Sequence, residues 1–229
     1  MDTPLNRNTG SRKKVFISVC NIHWVHKMVV RTLLELQKDA RYQLRIILPS
    51  RKPYENNLHH VIKEFLASGF DFWLNMDADN PPMKNPLDLV EFNKDIMGLP
   101  TPVAHYDSKF LGESPLYLNA YDYVKESDAY RPHRQVQGLQ RVDAVGTGCV
   151  LFARRVFEHP EMQKGAFVRK LYPDGTVHKG NDISFCERAK EAGFEIWTHY
   201  DYMCRHFNEI ELQENMNHMA AFFKNYYQT

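Results

Sequence analysis

The feature of this sequence that most constrains its fold is an apolar run that stops at two closely spaced carboxylates. Residues 70–82 read Phe-Asp-Phe-Trp-Leu-Asn-Met-Asp-Ala-Asp-Asn-Pro-Pro. The run is short, rich in aromatic residues and closed by two prolines, which favours a buried β-strand over a helix. Asp77 and Asp79 come at the end of that strand. Because residues i and i+2 of an extended chain point the same way, the two carboxylates can share a divalent cation.

Asp77 and Asp79 also have a simpler interpretation that involves no ligand. Asp, Asn and Pro are the residues that a chain uses to leave a strand and enter a turn. An Asp-x-Asp motif alone is therefore a weak signal. In an open α/β sheet, however, ligands bind outside the carboxyl ends of the strands, where the two aspartates are expected.

Strand and helix patterns alternate before the aspartates. Apolar runs at residues 15–19 and 42–48 predict two strands, and helical spacing of apolar residues predicts helices over 25–38 and 56–66. This order predicts a mainly parallel, Rossmann-like sheet with helices on both faces, which is an α/β fold.

The second half of the chain carries fewer clear patterns. Residues 142–152 are apolar and predict one strand interrupted by two glycines, which allow close approach of a ligand or another backbone. Residues 130–134 predict a polar loop. A helix is predicted from Asn181 or Asp182 to Gly193, followed by a strand at 194–197.

Composition bounds the class of protein. The chain has 229 residues, 43% of them hydrophobic, and a formal net charge of +1, which predicts one soluble globular domain without a strong overall affinity for polyanions. Its four cysteines form no Cys-x-x-Cys pair, which fits a reducing cytoplasm. No apolar run approaches the roughly eighteen residues that span a bilayer, so we expect a cytoplasmic protein with no membrane segment.

Basic residues are concentrated in one part of the chain. Residues 130–180 contain nine Lys or Arg and four acids, a local excess of +5. This excess hints at an anionic acceptor, although scattered charge is more often solvated surface.

Three elements taken together resemble the GT-A glycosyltransferases, close to family 2. They are Asp77-x-Asp79 after a strand, Gly180-Asn181-Asp182 opening a helix, and His206 beyond it. The resemblance implies a GT-A fold: a flexible lead-in at residues 1–13, a nucleotide-sugar and metal half at 14–105, and an acceptor half at 106–229 that ends in a helix.

The resemblance also implies roles for single residues. Asp77, Asp79 and His206 would hold Mn²⁺ or Mg²⁺ on the donor diphosphate, and Asp182 would be the base of an inverting transfer. The family usually has Gly-Glu-Asp where this chain has Gly-Asn-Asp, so a retaining mechanism stays open. Two further sets are implied. The nucleotide-sugar pocket would be lined by Ser18, Val19, Asn21, Arg51, Asn57, Asp77 and Ala78, and the acceptor and sugar pocket by Gly146, Thr147, Gly148, Asn181 and Asp182.

The predicted activity is transfer of a sugar from a nucleotide-diphosphate sugar, such as a UDP-sugar, to a hydroxyl. This reasoning leaves two kinds of acceptor open: a 5-hydroxymethylated pyrimidine in DNA, as in phage-type enzymes acting in a host cell, or a saccharide in cell-surface glycan synthesis. A nucleotidyltransferase that makes a nucleotide sugar is the alternative reaction, but no Gly-rich triphosphate loop follows the first strand.

Overall fold

The computed structural model describes residues 12–21, 23–104 and 116–209, and seven residues of the C-terminal segment. Those seven, at positions 213, 216, 217, 219, 220, 223 and 224, are all helical. The rest of the predicted C-terminal helix and most of the predicted lead-in lie outside the described residues. None of the helices in the described part has the length and apolar character needed to cross a membrane.

Apart from those C-terminal helical residues, the described part of the chain has five α-helices and fourteen strands. The helices are α1 (Lys27–Leu36), α2 (Tyr54–Ser68), α3 (Arg154–Glu158), α4 (Pro160–Gln163) and α5 (Asn181–Glu191), with short 3-10 helices at Pro86–Phe92 and Lys125–Ser127. The strands are β1 (Lys14–Cys20), β2 (Gln43–Ile47), β3 (Phe72–Asp77), β4 (Ile96–Gly98), β5 (Pro102–Ala104), β6 (Leu116–Leu118), β7 (Ala120–Val124), β8 (Ala129–Pro132), β9 (Leu139–Val142), β10 (Ala144–Val145), β11 (Cys149–Ala153), β12 (Lys170–Leu171), β13 (Val177–Lys179) and β14 (Ile196–His199).

Seven of these strands form the central sheet, in the order β2-β1-β3-β11-β4-β14-β9. Strands β2, β1, β3, β4 and β14 run in one direction, while β11 and β9 run against them. The predicted mainly parallel α/β sheet is therefore confirmed. The carboxyl ends of β1 and β3 lie side by side, because Cys20 is in register with Asp77.

Helices cover both faces of this sheet, as predicted. Alternate residues of β1 point to opposite sides: Phe16 packs with the core beneath α2, α3 and α5, while Val15 and Ile17 pack with the core beneath α1. The α2 face is dominated by aromatic rings around Trp73, which is fully buried. Its neighbours there include Phe65, Phe152 and Phe157.

Two predictions of local structure differ from what is observed. Residues 142–152 do not form one strand. They are divided among β9, β10 and β11, and β9 and β11 belong to the central sheet while β10 pairs with β7. The polar residues 130–134, predicted as a loop, contribute to β8, which pairs with β7. In both places, which residues form a strand depends on the partner strand and not on the β-propensity of the segment alone.

A buried polar chain runs along the α2 face of β3 towards its carboxyl end. The indole Nε1 of Trp73 donates to Ser18 Oγ at 2.8 Å, and Ser18 Oγ donates to Asn75 Oδ1 at 2.9 Å. Asn75 Nδ2 then donates to the carbonyl of Thr147 at 2.9 Å. Asn75 is 1% exposed, so one amide ties β1 and the turn before β11 to β3.

We predict that Asn75→Leu lowers the free energy of unfolding by about 2–4 kcal/mol, because the Ser18 hydroxyl and the Thr147 carbonyl both lose a buried partner. Urea unfolding of the variant measures this change. Asn56→Leu is the matched control, since the exposed Asn56 amide donates to the carbonyl of Lys52, just before α2. It should change stability by less than about 0.5 kcal/mol. Equal effects of the two substitutions would contradict a structural role for Asn75.

Candidate active site

The candidate site lies at the carboxyl edge of the sheet, where β3 ends in Asp77. A cleft of about 410 Å³ opens there. Asp77, Ala78 and Asp79 from the predicted set line it, together with Asn21. The other lining residues are Cys20, His23, Trp24, Lys52 and Tyr54.

Asp77 is held by a side chain that is not in the predicted set. Tyr54, the first residue of α2, donates its hydroxyl to Asp77 Oδ1 at 2.5 Å. The backbone N–H of Asp77 donates to the Gly148 carbonyl at 2.7 Å, so β11 fixes the main chain as well. The bond from Tyr54 orients the Asp77 carboxyl group, and no hydrogen bond to its Oδ2 occurs among the described residues.

Burial raises the pKa of Asp77 from its ordinary value of 3.8 to about 7. The charges of Asp79 and Asp182 raise this pKa further, and the hydrogen bond from Tyr54 lowers it. Asp182 is thus close enough for its charge to be felt at Asp77. Three carboxylates gathered at one edge of a sheet are unfavourable unless a cation or a proton lies among them.

Asp79 and His206 come together because two distant segments pair. Residues 203–207 run antiparallel to residues 79–83, with a bridge between Pro82 and Cys204. At the end of this pairing, the N–H of Phe207 donates to the Asp79 carbonyl at 3.1 Å. This contact brings His206 Nε2 to 3.7 Å from Asp79 Oδ2.

The orientation of the His206 ring suits a metal ligand. Its Nδ1 lies 2.9 Å from the carbonyl oxygen of Pro102, and since that oxygen only accepts, Nδ1 carries the proton. In the neutral ring Nε2 then presents a lone pair towards the Asp79 carboxylate. A cation between the two atoms would satisfy both, and a carbonyl behind the ring is a common support for a ligating histidine.

The fit of a divalent ion therefore rests on Asp79 and His206. Within the part of the chain that the structure describes, no group of three or more His, Cys, Asp or Glu is arranged to hold a metal. Asp77, predicted as a third ligand, has its Oδ1 engaged by Tyr54. One carboxylate and one imidazole, completed by diphosphate oxygens and water, make a reasonable donor set for Mn²⁺ or Mg²⁺.

Asp182 lies at the second position of α5. Its Oδ1 accepts from the N–H of Ile183 at 2.8 Å, and no hydrogen bond to its Oδ2 occurs among the described residues. Burial raises the pKa of Asp182, while the charge of Arg169 lowers it. A carboxylate with one oxygen fixed, one oxygen open and a raised proton affinity can accept a proton from a hydroxyl.

The other predicted pocket residues are placed in different ways. Ser18 and Val19 are fully buried in the sheet, so neither side chain lines the cleft. Asn57 is also buried, and its Nδ2 donates to the Pro49 carbonyl at 3.0 Å. Arg51 is exposed on the turn before α2. Their contact with a nucleotide stays a prediction.

The segment Gly146, Thr147 and Gly148 lies directly beside the end of β3. Thr147 and Gly148 accept hydrogen bonds from Asn75 and Asp77 respectively. A Cβ added at Gly146 would overlap the amide of Asn119, so close packing explains this glycine without a ligand. The segment is part of the site floor, and its contact with a sugar or an acceptor stays a prediction.

Sequence reasoning missed the pair Glu55 and Arg169. Glu55 follows Tyr54 on α2, and its Oε1 accepts from Arg169 Nε at 2.5 Å and from Asn181 Nδ2 at 3.3 Å. No spacing rule could have found this cluster, because Glu55 lies more than 110 positions from both Arg169 and Asn181. For Trp24 and Tyr54, which line the cleft, the aromatic side chain was the sequence signal that could have placed them in the predicted set.

Comparison with known proteins identifies the fold. No protein-family model and no curated protein matches the chain. Among solved structures, A197 from STIV shares 14% identity over 86% of each chain, with a TM-score of 0.52. GalNAc-T7, solved with UDP, GalNAc and Mn²⁺, shares 11% identity over 87% of this chain and 44% of its own, also with a TM-score of 0.52. The chain thus has a GT-A-like fold, as the resemblance implied.

We predict that Asp77→Asn stabilises the metal-free protein at neutral pH. The folded protein binds the Asp77 proton more tightly than the unfolded chain, so the contribution of this group to stability is full below pH 3.8 and is lost as the pH rises to about 7. Asparagine has no such titration. In EDTA, the stability advantage of the variant over wild type should therefore grow between these pH values, to about 2–4 kcal/mol.

Urea unfolding across this pH range measures the advantage. Asp174→Asn is the control, since Asp174 is exposed in the β12–β13 turn and its pKa is lowered, not raised, by Thr176. An advantage of Asp77→Asn that does not change with pH would show that Asp77 does not titrate in this range.

Proposed function

We propose that this protein is a metal-dependent glycosyltransferase that moves a sugar from a nucleotide-diphosphate sugar to an acceptor hydroxyl. The observation that carries the proposal is the convergence of Asp77, Asp79, His206 and Asp182 at the carboxyl edge of a GT-A-like sheet, beside a cleft of about 410 Å³. Clefts of this size suit small-molecule ligands. The cleft contains a lysine, Lys52, that can approach a diphosphate.

The residues of the chain supply the parts of an inverting transfer. Asp79 and His206 would hold the divalent ion, whose chemistry is to neutralise the charge on the departing nucleoside diphosphate. Asp182 takes the proton from the acceptor hydroxyl while the oxygen of that hydroxyl forms a bond to the anomeric carbon. The bond from that carbon to the diphosphate breaks, and its electron pair leaves with the diphosphate. Tyr54 keeps the Asp77 carboxyl group facing the cleft.

The basic residues of 130–180 support a saccharide acceptor better than a DNA acceptor. Seven of the nine basic residues of 130–180 are paired with carboxylates, namely Arg141, Arg154, Arg155, Lys164, Arg169, Lys170 and Lys179. Only Arg131 and Arg134 make no ion pair within the described residues. Since duplex binding draws on many free cations, the local excess of positive charge is a weak argument for DNA. The hydroxymethylated pyrimidine stays a prediction.

We expect Mn²⁺-dependent release of nucleoside diphosphate from at least one member of a panel of nucleotide sugars. Asp79→Asn and His206→Gln should each lower this release by about 10²-fold or more, because the charge on the leaving group loses its support. Asp182→Asn should lower transfer to the acceptor by about 10²–10⁴-fold. Asp174→Asn serves as the control and should retain wild-type rates, because Asp174 is exposed in the β12–β13 turn and does not line the cleft.

Product analysis separates this proposal from nucleotidyltransfer. A glycosyltransferase releases nucleoside diphosphate, whereas a nucleotidyltransferase releases pyrophosphate from a nucleoside triphosphate and a sugar phosphate. Release of pyrophosphate would overturn the proposal, and so would a wild-type rate of nucleoside diphosphate release in Asp79→Asn.

The acceptor class is tested by salt dependence. Transfer to a saccharide should change less than about twofold between 50 and 200 mM salt, whereas binding through many DNA phosphates would weaken by about 10³–10⁵-fold over that range. Saccharides and hydroxymethylcytosine DNA are compared as acceptors in wild type and in the double variant Arg131→Gln, Arg134→Gln. Stimulation by DNA that is lost at high salt and in this variant would favour the DNA acceptor.

A further inference from the structure

A cluster of charged and polar side chains lies at the start of α5, next to Asp182. Glu55 from α2 accepts hydrogen bonds from Arg169 and from Asn181, the residue immediately before Asp182. The Glu55 side chain is 15% exposed and that of Arg169 is 51% exposed. The cluster therefore joins three separate elements: the first turn of α2, the segment before β12 and the first turn of α5.

The contact with Asn181 places the cluster at the point where it constrains Asp182 most directly. Asn181 and Asp182 are the first two residues of α5, and the N-cap residue, Gly180, makes no side-chain hydrogen bond to the helix. Within the first turn the N–H of Ile183 donates to Asp182 Oδ1, and a contact from another element adds to this anchoring. The Asn181 amide, held by Glu55, supplies such a contact.

Titratable groups face Asp182 from several elements. They are the carboxyl group of Asp77 on β3, the phenol groups of Tyr117 and Tyr121, and the thiol of Cys186, and the charge of Asp182 raises the pKa of each. Arg169 is the cation that favours the ionised form of Asp182. Glu55 binds that same guanidinium, so the carboxylate of Glu55 competes with Asp182 for one positive charge.

We propose that Glu55 and Arg169 act as positioning residues for Asp182: their ion pair, bonded to Asn181, fixes the first turn of α5 and sets the charge that Asp182 faces. The proposal rests on the role given to Asp182 in the proposed glycosyl transfer. It adds two residues that act through Asp182 and do not touch the reacting atoms.

This arrangement has a consequence that a purely structural ion pair does not share. If the carboxylate of Glu55 is removed, the charge of Arg169 is no longer balanced and the pKa of Asp182 falls. If the charge of Arg169 is removed, the pKa of Asp182 rises. Substitution of Glu55 and substitution of Arg169 should therefore shift the pKa of Asp182 in opposite directions. Loss of packing alone would shift this pKa in the same direction in both variants.

The experiment measures the titration of Asp182 by carboxyl-carbon NMR in the full chain, without metal, donor or acceptor. The Asp182 signal is identified by its absence from Asp182→Asn. Glu55→Gln should lower the pKa of Asp182 and Arg169→Gln should raise it, each by about 0.5–1 unit. Arg169→Lys retains the positive charge and should stay closer to wild type than Arg169→Gln.

A matched control lies on the same helix. Arg45 and Glu64 form an ion pair between β2 and α2, with both side chains exposed. Glu64→Gln and Arg45→Gln remove the same chemical groups as the two test variants. They should leave the pKa of Asp182 within about 0.2 unit of wild type, since exposed charges that lie far apart are screened.

Each outcome decides the inference. Opposite shifts in the two test variants, absent from the controls, support it; shifts in the same direction, or none, overturn it. Thermal unfolding of all variants checks that they are folded. Because the titration needs no substrate, it is separate from the proposed function: a wild type that transfers no sugar would overturn the function and leave the titration result readable.

Discussion

The amide of Asn75 is the constraint on which the rest of the site depends. A polar side chain in the middle of a buried strand is costly unless each of its atoms is bonded, and here Ser18 and Thr147 supply the partners. These bonds tie β1 and the turn before β11 to β3. Asp77 lies two residues further along the same face, so its position follows from the register that Asn75 secures.

The charges at this edge explain why the scaffold must be rigid. Burial makes Asp77 costly to ionise, and the charges of Asp79 and Asp182 add to that cost. The chain opposes this repulsion with hydrogen bonds: Tyr54 donates to the Asp77 carboxyl group, the N–H of Asp77 donates to the Gly148 carbonyl, and the N–H of Phe207 donates to the Asp79 carbonyl. A divalent cation bound here would relieve the repulsion between the carboxylates, so this repulsion would increase the affinity of the site for the cation.

The limits of sequence reasoning follow from the range of the contacts involved. The elements from β1 to β3 could be predicted because their hydrophobic periodicity is local, and Asp77 and Asp79 became candidate site residues because they end such a strand. The division of 142–152 among three strands could not be predicted, since it depends on pairing with β7 and β14. His206 became a candidate only through a family resemblance, because antiparallel pairing of distant segments brings it to Asp79. Glu55 did not become a candidate at all, because a long-range ion pair places it.

The two sides of the site are built by different kinds of contact. On the Asp79 side, main-chain hydrogen bonds of the sheet and of the 79–83 and 203–207 pairing hold the residues, so most substitutions there leave the geometry intact. On the Asp182 side, Glu55, Arg169 and Asn181 meet only through side chains. A single substitution in that cluster can change what approaches Asp182 without disturbing the sheet. If the proposed function holds, donor and metal binding are fixed by the fold, while acceptor choice is the property that can change most easily.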